Sequence, residues 1–330
     1  MKERRKAVLL LSGGLDSTLA GKMMKEMGID VYAFNASSPF CRCTPKNASC
    51  SQSLLMAKQI GVPLKIVSMG EEFLDIVRNP RHGWGRGVNP CIDCRILLLK
   101  RAREYAQSIS ADFFISGEVL GQRPKSQHLA ALRLIEEEAG LEKMILRPLS
   151  ALLLEPTIPE TRGWVDRNKL LSVSGRSRKP QIILAEKLGI KDYACPAGGC
   201  LLTDPVIAAR VKEALSLGEF TKELIPFLQA GRHFRLPDGN RFIVGRNEKE
   251  SVFLLSRKGE KTVLEAADLP SAAGILWRPL ESSGAAAAGI ILYYSKEKGE
   301  GGRVRIMSGG NEKIVTVRKI SAEELEKIRI

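Results

Sequence analysis

Short apolar runs alternate with amphipathic stretches through the first 140 residues: 7–11, 31–34 and 64–68 are apolar, with 18–27 and 54–60 amphipathic between them. A run with no polar position belongs to a strand covered on both faces, and connections of this length make successive strands parallel. The rhythm therefore predicts an α/β domain, a parallel sheet with helices on both faces. It continues with a helix over 92–108, a buried strand over 112–116, and a helix over 126–139 whose Glu136, Glu137 and Glu138 face water. Ligands of such sheets sit at the carboxyl ends of the strands. The loops after Leu11, Phe34 and Ser116 are thus expected to converge on a site.

After Asp204 the rhythm stops. An amphipathic stretch over 206–229 gives way to short β-like runs at 241–245, 252–256, 289–295 and 303–307. Turns at Pro237-Asp238-Gly239-Asn240 and Ser308-Gly309-Gly310-Asn311 separate them, and 282–289 reads as a biased loop or linker. We expect a first domain over 1–204 and a smaller α+β or β-rich domain over 205–330.

Of the 330 residues, 51 are Lys or Arg and 37 Asp or Glu, a net charge of +14. Residues 1–200 hold 30 basic and 20 acidic side chains, so most of the excess lies there. Such a surface attracts polyanions, nucleic acid among them. No apolar run approaches the ~20 residues of a membrane span. The basic start resembles a secretion signal, but its apolar run ends at Ser12 and meets Asp16 before any cleavage site. Seven cysteines without such a signal are expected to be reduced, and the location cytoplasmic.

Ser12-Gly13-Gly14-Leu15-Asp16-Ser17 stands directly between the first strand and the first helix. Two glycines allow a tight turn, and the free N–H groups of the helix start, with the Ser12 and Ser17 hydroxyls, can donate to phosphate. No Walker or dinucleotide fingerprint opens this helix. The loop resembles that of the PP-loop ATP pyrophosphatases. Gly117-Glu118-Val119-Leu120-Gly121-Gln122-Arg123-Pro124-Lys125-Ser126-Gln127 and Leu146-Arg147-Pro148-Leu149 resemble segments of the tRNA 4-thiouridine synthetase catalytic domain. The resemblance covers roughly residues 6–160. It implies a PP-loop (HUP-like) fold, adenylation of a carbonyl oxygen by ATP, and release of pyrophosphate. It also implies ATP contacts from Ser12, Gly13, Gly14, Asp16, Ser17, Asn35, Gly117, Glu118 and Gln122, with Asp16 holding Mg²⁺ or orienting pyrophosphate and Asn35 near the adenine.

Pro90-Cys91-Ile92-Asp93-Cys94 opens a helix, whose dipole favours thiolate. The pair alone is compatible with zinc, a redox couple or two legs of an iron–sulfur cluster. Structural zinc wants four ligands, yet there is no second C-x-x-C, and His82, His128 and His233 lack finger spacing. A three-cysteine [4Fe–4S] cluster with one open iron fits better. PP-loop tRNA thiolases are similar in combining a C-x-x-C with one later cysteine. Here that cysteine is expected to be Cys200, which follows two glycines, rather than Cys195, which precedes a proline. Cys91, Cys94 and Cys200 are then both metal ligands and, with Asp16, catalytic residues; a persulfide route on the same cysteines is the alternative. Cys41, Cys43 and Cys50 stay open between a second metal, a sulfur relay and simple burial.

Arg123, Lys125, Arg176, Arg178 and Lys179 fall in loops beside this site, where they suit phosphates. Residues 231–247 resemble the RNA-binding segment of NFACT proteins. Phe234 and Phe242 are candidates for its core, and Arg232, Arg235, Arg241 and Arg246 for a basic rim. The expected function is ATP-dependent tRNA thiolation, with sulfide or a cysteine desulfurase as sulfur donor. The alternatives are a PP-loop enzyme adenylating a small molecule, and a tRNA- or ribosome-binding protein with a degenerate ATP site.

Overall fold

The computed structural model describes residues 4–40, 49–193, 200–280, 282 and 284–330. Its two units are Met1–Ala208 and Ala209–Ile330. In chain order the first holds β1 (Lys6–Leu10), α1 (Leu15–Glu26), β2 (Asp30–Ser37), α2 (Ser49–Ile60), β3 (Leu64–Ser68) and α3 (Gly70–Arg78). There follow α4 (Cys91–Ser108), β4 (Phe113–Ser116), α5 (Leu129–Ala139), β5 (Ile145–Leu146), α6 (Ile158–Thr161) and α7 (Lys179–Lys187).

The strands stand in the order β3-β2-β1-β4-β5, every pairing parallel. β1 lies central because its last four positions are all apolar and buried: Ala7 and Leu9 pack into one core with Leu15, Leu19, Phe113 and Ile115, while Val8 and Leu10 pack into the other with Phe34, Ile96 and Phe114. α4 seals the second face through Ile92, Ile96, Leu99, Ala102 and Ala106, one helical stripe. The expected parallel sheet with covered faces is present.

Two expectations about α5 need correction. It begins at Leu129 rather than 126, because His128 caps it by accepting from Ala131 N at 3.2 Å. Glu136 and Glu138 do not simply face water either. Glu136 pairs with the buried Arg147, and Glu138 meets His82 at 2.9 Å and Arg81 at 3.1 Å.

The second unit holds α8 (Pro205–Ser216, which begins just before it), α9 (Ile225–Leu228), β6 (Arg232–Arg235), β7 (Arg241–Val244), α10 (Glu248–Leu255) and β8 (Val263–Ala266). Then come β9 (Gly274–Leu276), α11 (Gly284–Tyr293), β10 (Gly301–Ser308), β11 (Asn311–Arg318) and α12 (Ala322–Lys327). Its sheet, β11-β10-β8-β9-β7-β6, is antiparallel at every pairing. Residues 252–256 and 289–295, expected as strands, fall largely in α10 and α11. The supposed linker is the start of α11, where four alanines favour helix and Ala287, Ala288, Ile290, Ile291 and Leu292 bury against the sheet. The single stretch expected over 206–229 divides into α8 and α9.

Candidate functional site

β1 ends at Leu10, and the next residues turn sharply into α1. Gly13 takes a φ of +81°, a region that costs a side chain energy. The Ser17 and Thr18 hydroxyls both donate to Gly14 O, at 3.0 and 2.9 Å, and fix the turn. Gly14 is the N-cap and brings no capping side chain, so the first amides of α1 are left to a ligand.

The turn opens on a cavity of about 480 Å³ at the carboxyl ends of β1 and β4. Ser12, Gly14, Asp16 and Ser17 line it from the loop, Gly117, Glu118, Gln122 and Arg123 from the segment after β4, and Arg95, Arg176 and Arg178 from two further places. This volume suits a small molecule, and four arginines suit an anionic one.

Asn35 and Gly13 are not among the lining residues. Asn35 Nδ2 donates to Leu11 O at 2.7 Å and so ties β2 to the loop. Gly117 serves by absence of bulk: a Cβ there would fall on the backbone of Asp16 and Ser17. Gly117→Ala therefore displaces the start of α1, and we expect nucleotide affinity to drop about tenfold or more, each ~1.4 kcal/mol of lost contact being tenfold. Calorimetric titration with a non-hydrolysable ATP analogue checks this; unchanged affinity would separate the loop from the site.

Asp16 is held asymmetrically. Its Oδ2 accepts from Gln122 Nε2 at 3.2 Å and faces Arg178 at 3.4 Å. Its Oδ1 is buried without a partner among the described residues. An unpartnered carboxylate oxygen on a residue lining an arginine-rich cavity is a donor suited to Mg²⁺, which takes one or two carboxylates and substrate phosphates. Glu118 is buried, 3.1 Å from Arg147 and 3.6 Å from Arg95. Burial pushes its carboxyl up, but Arg95 and Arg147 outweigh this and hold it below the usual carboxylate range. Glu118 thereby anchors Arg95 at the cavity wall. Arg147, from the Leu146-Arg147-Pro148-Leu149 segment, fixes Glu118 and Glu136 together. Neither arginine was read as a site residue from the sequence; Arg95's position four residues after Cys91, on the same helix face, is the signal available.

Cys91 and Cys94 lie in the first turn of α4, both half-buried. Between them Asp93 is buried and accepts from the backbone N of Arg81 at 3.1 Å and of His82 at 3.3 Å, with the His82 ring at 3.2 Å. It pins the preceding loop to the helix. Cys200, also half-buried, opens a short turn in which Leu202 O accepts from Val88 N at 3.1 Å. The backbone thus places that turn against the loop leading into Cys91. Among the described residues no three His, Cys, Asp or Glu side chains converge to hold a metal ion. Cys41, Cys43 and Cys195 lie outside the described residues, as does the side chain of Cys50.

The helix dipole does not win at Cys91. Burial pushes its thiol above the ordinary value, while Arg95, Arg123, Lys125 and a hydrogen bond from Asn89 pull it down. Removing one cation should raise it further. Arg123→Met is expected to slow alkylation of Cys91 at pH 7.5, by up to about tenfold per unit of pKa rise, and the rate should recover at higher pH. Peptide mass spectrometry after iodoacetamide treatment measures this, and an unchanged rate would exclude Arg123 from the thiol's surroundings.

In the second unit Phe234 and Phe242 are fully buried, as core positions. One member of the expected basic rim is corrected. Arg241 is itself fully buried, pairs with Glu213 and Glu219, and donates to His233 Nδ1 at 3.1 Å. Burial, with the charges of Arg210 and Arg241, holds His233 well below the ordinary imidazole value, leaving that nitrogen free to accept. Arg235 pairs with the same two glutamates and Arg246 with Glu250. Arg232 lies over the Tyr294 ring, 4.3 Å from its centroid.

Residues 3–157 match the family model described as thiamine biosynthesis protein (ThiI), and residues 231–329 that of the NFACT protein RNA binding domain. The tRNA-specific 2-thiouridylase MnmA of Leptospira biflexa is 28% identical over 131 residues, 36% of this chain and 34% of that protein. MnmA of Geobacter metallireducens is 31% identical over 136 residues, 35% of this chain and 36% of that one. The chain thus spans about a third of the length of these relatives. A solved 4-thiouridine synthetase–RNA complex with bound ATP aligns at TM-score 0.40 and 21% identity, covering 68% of this chain and 52% of that chain. The U34-tRNA thiolase NcsA of Methanococcus maripaludis, with its [4Fe-4S] cluster, aligns at 0.35 and 16%, covering 66% and 69%.

Proposed function

We propose that this chain, which carries a ThiI-type PP-loop domain and an NFACT-type RNA-binding domain, is an ATP-dependent tRNA sulfurtransferase. The observation that supports it most is a shared helix: α4 brings Cys91 within one turn of Arg95, which lines the cavity behind the phosphate loop.

In this reading the α1 amides, Ser12, Ser17 and the arginines hold the triphosphate of ATP. Mg²⁺, when bound, neutralises phosphate charge, and Asp16 Oδ1 is the oxygen the chain offers it. A base carbonyl oxygen attacks the α-phosphorus, and the bond to pyrophosphate breaks. The carbon now bears AMP as leaving group. A persulfide on one of Cys91, Cys94 and Cys200 attacks that carbon and expels AMP; a second cysteine then breaks the S–S bond, leaving sulfur on the base and a disulfide for an external thiol to reduce. A cysteine desulfurase supplies that persulfide by passing on the outer sulfur of its own, its cysteine leaving as a thiol; sulfide from solution is the other donor, attacking the same carbon directly and needing no disulfide. The three thiols are also soft donors suited to a [4Fe–4S] cluster, although no cage of described ligands is formed.

Among the described residues no helix is long and apolar enough to cross a membrane. A cytoplasmic site of action, with tRNA as partner, belongs to the same proposal. Pyrophosphate release from ATP, assayed with and without tRNA, tests it. Stimulation by tRNA supports the reading; equal release without RNA points to a small-molecule acceptor, and no release with tight RNA binding points to a degenerate ATP site.

A further inference from the structure

One wall of the cavity comes from residues 174–178, beyond the segment that matches the ThiI model. This strap is laced down on both sides. Ser174 forms a parallel bridge with Leu120, and Gly175 N donates to Leu120 O at 2.8 Å, tying it to the loop that carries Glu118 and Gln122. Just before it, Val173 N donates to Leu149 O at 2.7 Å, and Ser150 Oγ donates to Val173 O at 2.7 Å while accepting from Leu120 N at 3.0 Å. The backbone leading into the basic run is therefore fixed to the scaffold, while Arg176 and Lys179 themselves stay exposed.

Its two arginines do different things. Arg178 meets Asp16 on the oxygen that already accepts from Gln122. Two donors on Oδ2 fix the rotation of the carboxylate and leave Oδ1 buried without a partner among the described residues. Arg176 lines the cavity without a carboxylate partner among the described residues, so its charge is available to an anion.

We propose that the strap is the second wall of a site for a divalent-cation nucleoside triphosphate, in which Arg178 is a positioning residue for Asp16 and Arg176 binds the polyphosphate tail. The proposal rests on the nucleotide reading of the cavity.

The full chain is titrated calorimetrically with α,β-methylene ATP, in Mg²⁺ and in EDTA, as wild type, Arg178→Met, Arg178→Lys and Arg176→Ala. In Arg178→Met the gain in affinity conferred by Mg²⁺ should shrink about tenfold, the usual cost of losing an outer partner of a metal ligand, and Arg178→Lys should restore part of it. Arg176→Ala should weaken binding by a similar factor in both conditions. A wild-type Mg²⁺ gain in Arg178→Met, or wild-type affinity in Arg176→Ala, overturns the assignment. If Arg178→Met melts well below wild type, Arg178→Lys decides: a Mg²⁺ gain between those of wild type and no gain supports the role, and an unaltered one overturns it. A wild-type chain that fails to bind the analogue in either condition sinks the nucleotide reading itself, an outcome distinct from all of these.

Discussion

Replacing Asp16 with asparagine should slow pyrophosphate release by about a hundred- to a thousandfold, the loss typical of removing one preorganised electrostatic group at a reacting centre. The substitution keeps the shape of the side chain and an oxygen in place of Oδ1, but removes the charge that would suit this buried atom, unpartnered among the described residues, to the proposed cation. It also releases Arg178 from its ion pair. Affinity for ATP in EDTA should therefore hold or increase while turnover in Mg²⁺ collapses. Measuring both in one preparation distinguishes this from misfolding, in which both would fall. Turnover within a few-fold of wild type would remove Asp16 from the chemistry.

Thiolation should be lost entirely when Cys91, Cys94 and Cys200 are replaced together by alanine, with nucleotide binding retained. The cysteines lie outside the cavity lining, so their removal takes no group from the phosphate site. In the proposed reading their role is to carry or hold the incoming sulfur, chemistry that belongs to thiols. Iron and acid-labile sulfide, assayed on protein purified without oxygen, divide the two forms of this role. About four irons per chain, lost in the triple variant, indicate a cluster. Absence of iron after reconstitution leaves persulfide chemistry. A triple variant that still thiolates RNA would show the sulfur assignment to be wrong.

The sheet of the first unit was legible because residues 7–10 of β1 and 113–115 of β4 are apolar at successive positions, and a strand of that kind is covered on both faces. α4 was legible through its apolar stripe. α11 was not: residues 285–292 are apolar or small at every position, which erases the periodicity that separates helix from strand. Placement of the phosphate loop followed from its glycines and its strand–helix setting. What escaped were effects of tertiary pairing. Arg241 reads as a surface charge until Glu213 and Glu219 are brought to it, and Glu118 reads as a ligand contact until Arg95 and Arg147 surround it. The Cys91 thiol shows the same limit, since the helix dipole can be inferred from the local sequence whereas the burial that outweighs it cannot.

The most direct test is to incubate the full chain with unmodified tRNA, ATP, Mg²⁺, a sulfide source and a thiol reductant. The tRNA is then digested to nucleosides for mass spectrometry, with AMP and pyrophosphate counted in the same reaction. The account predicts a thiolated nucleoside that appears only with ATP, in step with AMP and pyrophosphate. AMP and pyrophosphate formed without sulfur entering the RNA, or sulfur entering it without ATP, would contradict the account.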